Sequence, residues 1–213
     1  MLKESFYILN HNMVKILTLS LLIVLPVSYL IQSFIVYFLN AEYLSTPNLY
    51  GMCMILFNFT VVFPPFFVLA KKHLNDEDYN MKTSIISFID NFFLILIVTV
   101  VSFVIMIFGA PFILIPTLLS LAFLLVFPMI ASEELPVGVK IKKTWSVIKR
   151  ENIGILGDLV LVISLNIALW FLFTLFVENM ENNLLVYLTL KVLIYTMFSP
   201  LIYIFLTVKY HKE

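Results

Sequence analysis

The sequence predicts an all-α membrane protein: six transmembrane helices with amphipathic helices lying at the cytoplasmic surface. Three observations carry that prediction. Of 213 residues, 62% are hydrophobic and 12% charged, against about 45–50% apolar and about 25% charged in soluble domains. Apolar residues run continuously and do not alternate with polar ones, which favours helices over a barrel. Basic residues collect in every second connection, as the positive-inside rule requires of an even number of crossings. A soluble enzyme, a nucleic-acid-binding module and a disordered regulator are excluded. Six spans of roughly 20 residues take roughly 120 residues, leaving room for loops in a single polytopic domain, 1–213.

The spans are expected at about 14–39, 49–70, 85–108, 111–131, 155–177 and 184–208. The first follows Lys3 and Lys15 and superficially resembles a signal peptide. Its apolar run outlasts the roughly 7–15 residues of such a segment, and no small-residue cleavage site closes it, so it reads as a retained span. The second stops at Lys71-Lys72-His73. Gly109-Ala110-Pro111 reads as a very tight turn between the third and fourth. Pro26, Pro64-Pro65, Pro116 and Pro200 fall inside spans, where proline bends a helix.

Twelve of the thirteen basic residues sit on one side of this layout, in the N-terminus, the 2–3 and 4–5 connections and the C-terminus. The other side carries Glu42, Glu178 and Glu181 and no cation. Both termini are therefore expected in the cytoplasm, the chain in a plasma membrane. An internal repeat is suggested by 82–92, before span three, which aligns without gaps on 143–153, before span five. Residues 3–12 have a similar pattern. The implied unit is a surface helix followed by two spans.

The segment 133–152 is the main extramembrane feature. Ile141, Trp145 and Ile148 recur at helical spacing, while Lys140, Lys142, Lys143, Lys149 and Arg150 occupy the remaining surface. Such a helix lies in the interface plane with Trp145 at headgroup depth, its cations facing anionic lipid or a partner protein. Asp90, Asp158 and Lys191 are the ionisable groups that intrude into spans, and intramembrane charge is a functional candidate by default. Asn166, nearer mid-span, is expected to hydrogen-bond between helices.

No catalytic constellation, metal site or cofactor motif is visible. His11, His73 and His211 fall in cytoplasmic ends without metal-ligand spacing. Cys53 lies in an apolar run and reads as a small buried hydrophobe. The sequon Asn58-Phe59-Thr60 lies inside span two. There is no phosphate-cradling Gly-x-x-x-x-Gly-Lys, so ATP-driven transport would need a separate ATPase chain.

Glu133-Glu134 and Gly138 echo the coupling loop of ABC importer permeases, although the alanines and the closing Ile-x-Leu-Pro are missing. Further along, the chain resembles the YesL-like small bacterial membrane proteins. The likeness rests on Asp78-Tyr79-Asn80 leading to Ser87-Phe88-Ile89-Asp90-Asn91-Phe92, on Val126-Phe127-Pro128-Met129-Ile130-Ala131, on the basic helix and on Ser199-Pro200-Leu201. It departs after span one, where Pro26-Val27-Ser28-Tyr29 stands in place of that family's Pro-x-x-T-x-G-like turn. The resemblance implies an accessory role beside an ABC-type carbohydrate transporter and brings no catalytic residues. The expected function is thus a non-enzymatic accessory component or subunit of an ABC-type transport system, its partners the bilayer and a separate ATPase chain. The alternatives are a six-span export or immunity permease subunit and a membrane-embedded enzyme.

Overall fold

The computed structural model describes residues 2–41, 46–109, 115–177 and 184–211. Among them the regular structure is all helical, without strands. The elements are α1 (Leu2–His11), α2 (Met13–Leu19), a π-helical turn (Ser20–Val24), α3 (Leu25–Asn40), α4 (Pro47–Val61), α5 (Phe63–Leu74), α6 (Met81–Gly109), α7 (Ile115–Ala131), α8 (Val137–Glu151), α9 (Ile153–Val177) and α10 (Leu184–His211).

Among the described residues five stretches are long and apolar enough to cross a membrane: Met13–Asn40, Asn48–Leu74, Met81–Gly109, Ile153–Phe173 and Leu185–Tyr210. The described part of α7, 17 residues, is about 26 Å long at 1.5 Å per residue. That is slightly less than the roughly 30 Å hydrocarbon core. The proposed 109–111 turn, apart from Gly109, and Glu42, Glu178, Glu181 and Lys212 lie outside the described residues. Gly109 itself has a packing reason: a Cβ there would sit 2.4 Å from Pro116 Cβ.

The prolines act in different ways. Pro26 has no N–H to donate to the preceding turn, and the chain widens into the π turn Ser20–Val24 immediately before it. Pro64 and Pro65 break the second span outright: α4 ends at Val61, Val62 turns at φ −89° and ψ −1°, and α5 restarts at Phe63. Pro116 falls in the first turn of described α7, where proline is tolerated. Pro200 lies inside a continuous α10.

Two short helices, α1 and α8, each join a long apolar helix through an asparagine. Asn12 has φ −108° and ψ 20°, and Asn152 has φ 46° and ψ −117°. The third stretch expected to match them, 82–92, is not a separate helix. It continues directly into the span as one 29-residue helix, α6. Its asparagine, Asn91, donates to the Ser87 carbonyl one turn back at 2.8 Å, so the backbone has no cause to turn there.

The best-packed region lies toward the end of the bundle where the basic connections gather. Every residue from 122 to 131 of α7 is buried, as are Phe63–Phe67 of α5 and most of α10 from Ile202 to Val208. Tyr203 is its centre, fully buried and stacked on Phe63 and Phe66 with ring centroids 4.6 and 5.7 Å away. At the basic end itself, α1 packs on α10, and Asn12 Nδ2 meets His73 Nδ1 at 3.2 Å.

Candidate functional site

The amphipathic α8 has three sectors. Lys140, Thr144 and Ile148 are spaced four apart and turn to the bundle, buried. One residue on, Val137, Ile141 and Trp145 form a half-exposed apolar stripe. Lys142, Lys143, Lys149 and Arg150 occupy the rest, exposed. Of the expected apolar line Ile141–Trp145–Ile148, Ile148 turns to the bundle, while Ile141 and Trp145 stay half-exposed beside it. Trp145 keeps an edge against Phe123 of α7, ring centroids 5.9 Å apart.

Lys140 is consequently not on the basic surface. Its Nζ donates to the Ala131 carbonyl at 2.5 Å, where the last carbonyls of α7 lack intrahelical donors. Burial holds its pKa below the usual lysine range, and Glu133 opposes that shift. Lys143 pairs with Glu133 at 2.5 Å. Arg150 faces Glu151 at 3.6 Å. Lys142 and Lys149 complete the exposed basic edge.

The intramembrane charges occupy separate places. Asp90 is exposed on α6. Asp158, in the second turn of α9, is buried and held by α10: Lys209 Nζ donates to both carboxylate oxygens at 2.7 Å, and the Tyr210 hydroxyl donates to Oδ2 at 2.5 Å. This clamp joins the start of one span to the end of the next. Lys191 lies 18 positions before Lys209 on α10, about 27 Å along the helix. Asp158 and Lys191 therefore form no acid–base pair.

Lys191 instead lines a cavity of about 430 Å³ between α3, α4, α7, α9 and α10. Its wall is mostly aliphatic, with polar groups from four helices: Gln32, Asn58, Thr60, Asn166, Lys191 and Tyr195. Asn166 does not bond across helices as expected; its Nδ2 donates to the Val162 carbonyl of its own helix at 2.8 Å. Asn58, Thr60 and Tyr195 are tied in. Ser28 donates to Asn58 Oδ1 at 3.0 Å, Thr60 and Thr99 hydroxyls meet at 3.0 Å, and Tyr195 and Tyr203 hydroxyls meet at 2.8 Å. Tyr203 donates onward to the Phe59 carbonyl at 2.9 Å, in the last turn before the Val62 break. A broken helix beside a polar-lined cavity is tolerated in a membrane where protein groups satisfy the backbone.

Chemically this arrangement offers a few polar groups on the wall of a largely aliphatic cavity. Among the described residues no group of three or more His, Cys, Asp or Glu could hold a metal. Cys53 is half-buried with a free thiol. Comparison with family models, with curated proteins and with solved structures returned no match to this chain.

Sequence reasoning marked Lys191, Asn166 and Asp158 but missed Gln32, Tyr195 and Tyr203, and treated Asn58 and Thr60 only as parts of a sequon. The usable signal was that Gln32, Asn58 and Thr60 are polar residues within uninterrupted apolar runs.

Proposed function

We propose that this chain is a non-enzymatic, plasma-membrane component of a transport system, with the five-helix chamber as its ligand site and the exposed edge of α8 as its contact with a separate ATPase or permease chain. In this reading α7 is the sixth span, and both termini and α8 face the cytoplasm. The observation that carries it is the chamber: polar side chains from four helices around an apolar cavity, beside a span broken mid-length, the layout in which membrane transporters place their ligands. Twelve of thirteen cations at one end support the orientation. In this reading the exposed Lys142, Lys149 and Arg150 meet the partner, whereas Lys140 holds α8 to α7.

The test is purification of a tagged chain from its native membrane in mild detergent, with stoichiometric partners identified. An ATPase or permease at fixed ratio is expected. It should be lost when Lys142, Lys149 and Arg150 are all changed to Glu, with the level of the chain unchanged. A chain that emerges alone, or a charge-reversed chain that keeps its partner, would sink this reading.

A further inference from the structure

The N-terminal helix α1 is docked shallowly. Ser5 and Ile8 are its buried residues, and the others are half-buried or exposed. It packs on α10 and joins α2 through Asn12, which is buried and departs from helical geometry. Asn12 also ties this joint to α5. Its side-chain amide nitrogen donates to the Ile8 carbonyl at 3.2 Å and lies 3.2 Å from His73 Nδ1. An amide nitrogen only donates, so His73 Nδ1 accepts and the neutral ring carries its proton on Nε2. A second proton on His73 must therefore go to Nδ1, where the Asn12 N–H already points.

The surroundings make that proton less welcome still. The Tyr7 and His11 rings lie against His73, with centroids 5.8 and 5.3 Å away. His11 of α1 and Lys15 of α2 repel a positive charge at His73, and Asp76, just after α5, attracts one. On α5 itself Lys71 lies over the Phe67 ring and Lys72 pairs with Glu77. Of the elements packed on α5, α6 brings Lys82 and Asp90, both exposed, and α10 brings Lys209, held by Asp158. Lys3 and Glu4 stand about two turns back from His11 on α1.

We propose that Asn12 and His73 form an acid-released latch: a proton on His73 Nδ1 breaks the tie, and α1 swings away from the bundle about Asn12. Docked α1 binds this proton less readily than released α1, because the hydrogen bond is made to the neutral ring. Docking is therefore fullest above the ordinary histidine pKa of about 6.5 and weakens as pH falls below it. A single proton changes the ratio of released to docked chains by at most about tenfold per pH unit. The latch depends neither on the chamber nor on any partner.

The experiment places spin labels at Leu2→Cys on α1 and Val139→Cys on α8, in a Cys53→Ser chain in phosphatidylcholine nanodiscs, and reads their separation by pulsed EPR. One narrow distance is expected at pH 8, and a second, longer one should grow in between pH 6.5 and pH 5. A control pair, Lys82→Cys with Val139→Cys, should not change. His73→Gln supplies an amide oxygen that accepts from Asn12 without titrating, so it should keep the narrow distance at both pH values. Asn12→Ala should show the longer distance already at pH 8. A wild-type distribution identical at pH 8 and pH 5 overturns the proposal even if a variant does not fold. So does a response that survives in His73→Gln, or one shared by the control pair, which would mean general loosening in acid.

Discussion

Two spans of nearly equal mean hydropathy meet opposite surroundings. In Asn48–Leu74, 61% of the most apolar window is buried inside the protein; in Ile153–Phe173 the share is 24%. In a bilayer, apolar sequence reports that a segment is immersed in hydrocarbon and not whether its neighbour is lipid or protein. What separates the two spans is polar and proline content. The first carries Asn58, Thr60 and the Pro64-Pro65 break, all of which need protein groups to complete their hydrogen bonds. The second satisfies Asn166 within its own turn and is otherwise held at its two ends, by Asp158 at one and by Phe173 against Tyr187 at the other.

The largest effect should come from truncating an aromatic in the buried span. Phe66 is fully buried on Tyr203, so Phe66→Ala should cost about 3–5 kcal/mol. Phe171, 61% exposed on α9, should cost less than about 0.5 kcal/mol on the same change. Thermal unfolding of both variants in one detergent measures the contrast, and equal losses would show that α9 is covered by protein.

Next comes the clamp that keeps the sparsely buried span in place. Asp158→Ala leaves the Lys209 ammonium without its carboxylate, and removing one member of a buried pair costs about 3 kcal/mol or more. Adding Lys209→Met should recover much of the loss, because the orphaned charge is then gone. A double variant no more stable than Asp158→Ala would mean the carboxylate matters for Tyr210 alone.

How far these contrasts could be read from the chain depends on the kind of interaction. Helix positions were legible because a bilayer demands long apolar runs, and the orphan charge at Asp158 was legible for the same reason. Its partner was not: Lys209 looked like one more positive-inside cation, because nothing local says that α10 returns beside α9. The bundle-facing side of α8 was legible only at Ile148; Lys140 and Thr144, which share it, were not read as buried. Amphipathic periodicity assigned the stripe to Ile141, Trp145 and Ile148, whereas the carbonyl at Ala131 draws the Lys140 ammonium inward, and its aliphatic stem packs as a hydrophobe would. The separate surface helix expected at 82–92 failed because Asn91 caps nothing and bonds within its own helix. The chamber was the least legible feature, since it is assembled from one or two polar residues on each of four helices that nothing local brings together.

A smaller loss is expected at the hinge of the buried span. Tyr203→Phe keeps the ring stack and removes the hydroxyl that donates to the Phe59 carbonyl and meets Tyr195. Two buried polar groups then lose a partner, at about 1–3 kcal/mol. Amide exchange at 59–63 should rise in step. Unchanged exchange would mean the proline pair alone fixes the break.

The smallest effect has the opposite sign and isolates the lipid-facing span from packing altogether. Gly157 lies in α9, one residue before Asp158, and a Cβ built there meets nothing within 4 Å. Gly157→Ala therefore adds no clash and no contact. It reduces the conformational freedom of the unfolded chain and should stabilise by about 0.5 kcal/mol. A gain well above that would require the new methyl group to touch something, and the nearest surface would then have to come from a second chain. Measuring the variant at two protein-to-detergent ratios separates these cases, since a gain from backbone entropy does not depend on concentration and one from a packed neighbour does.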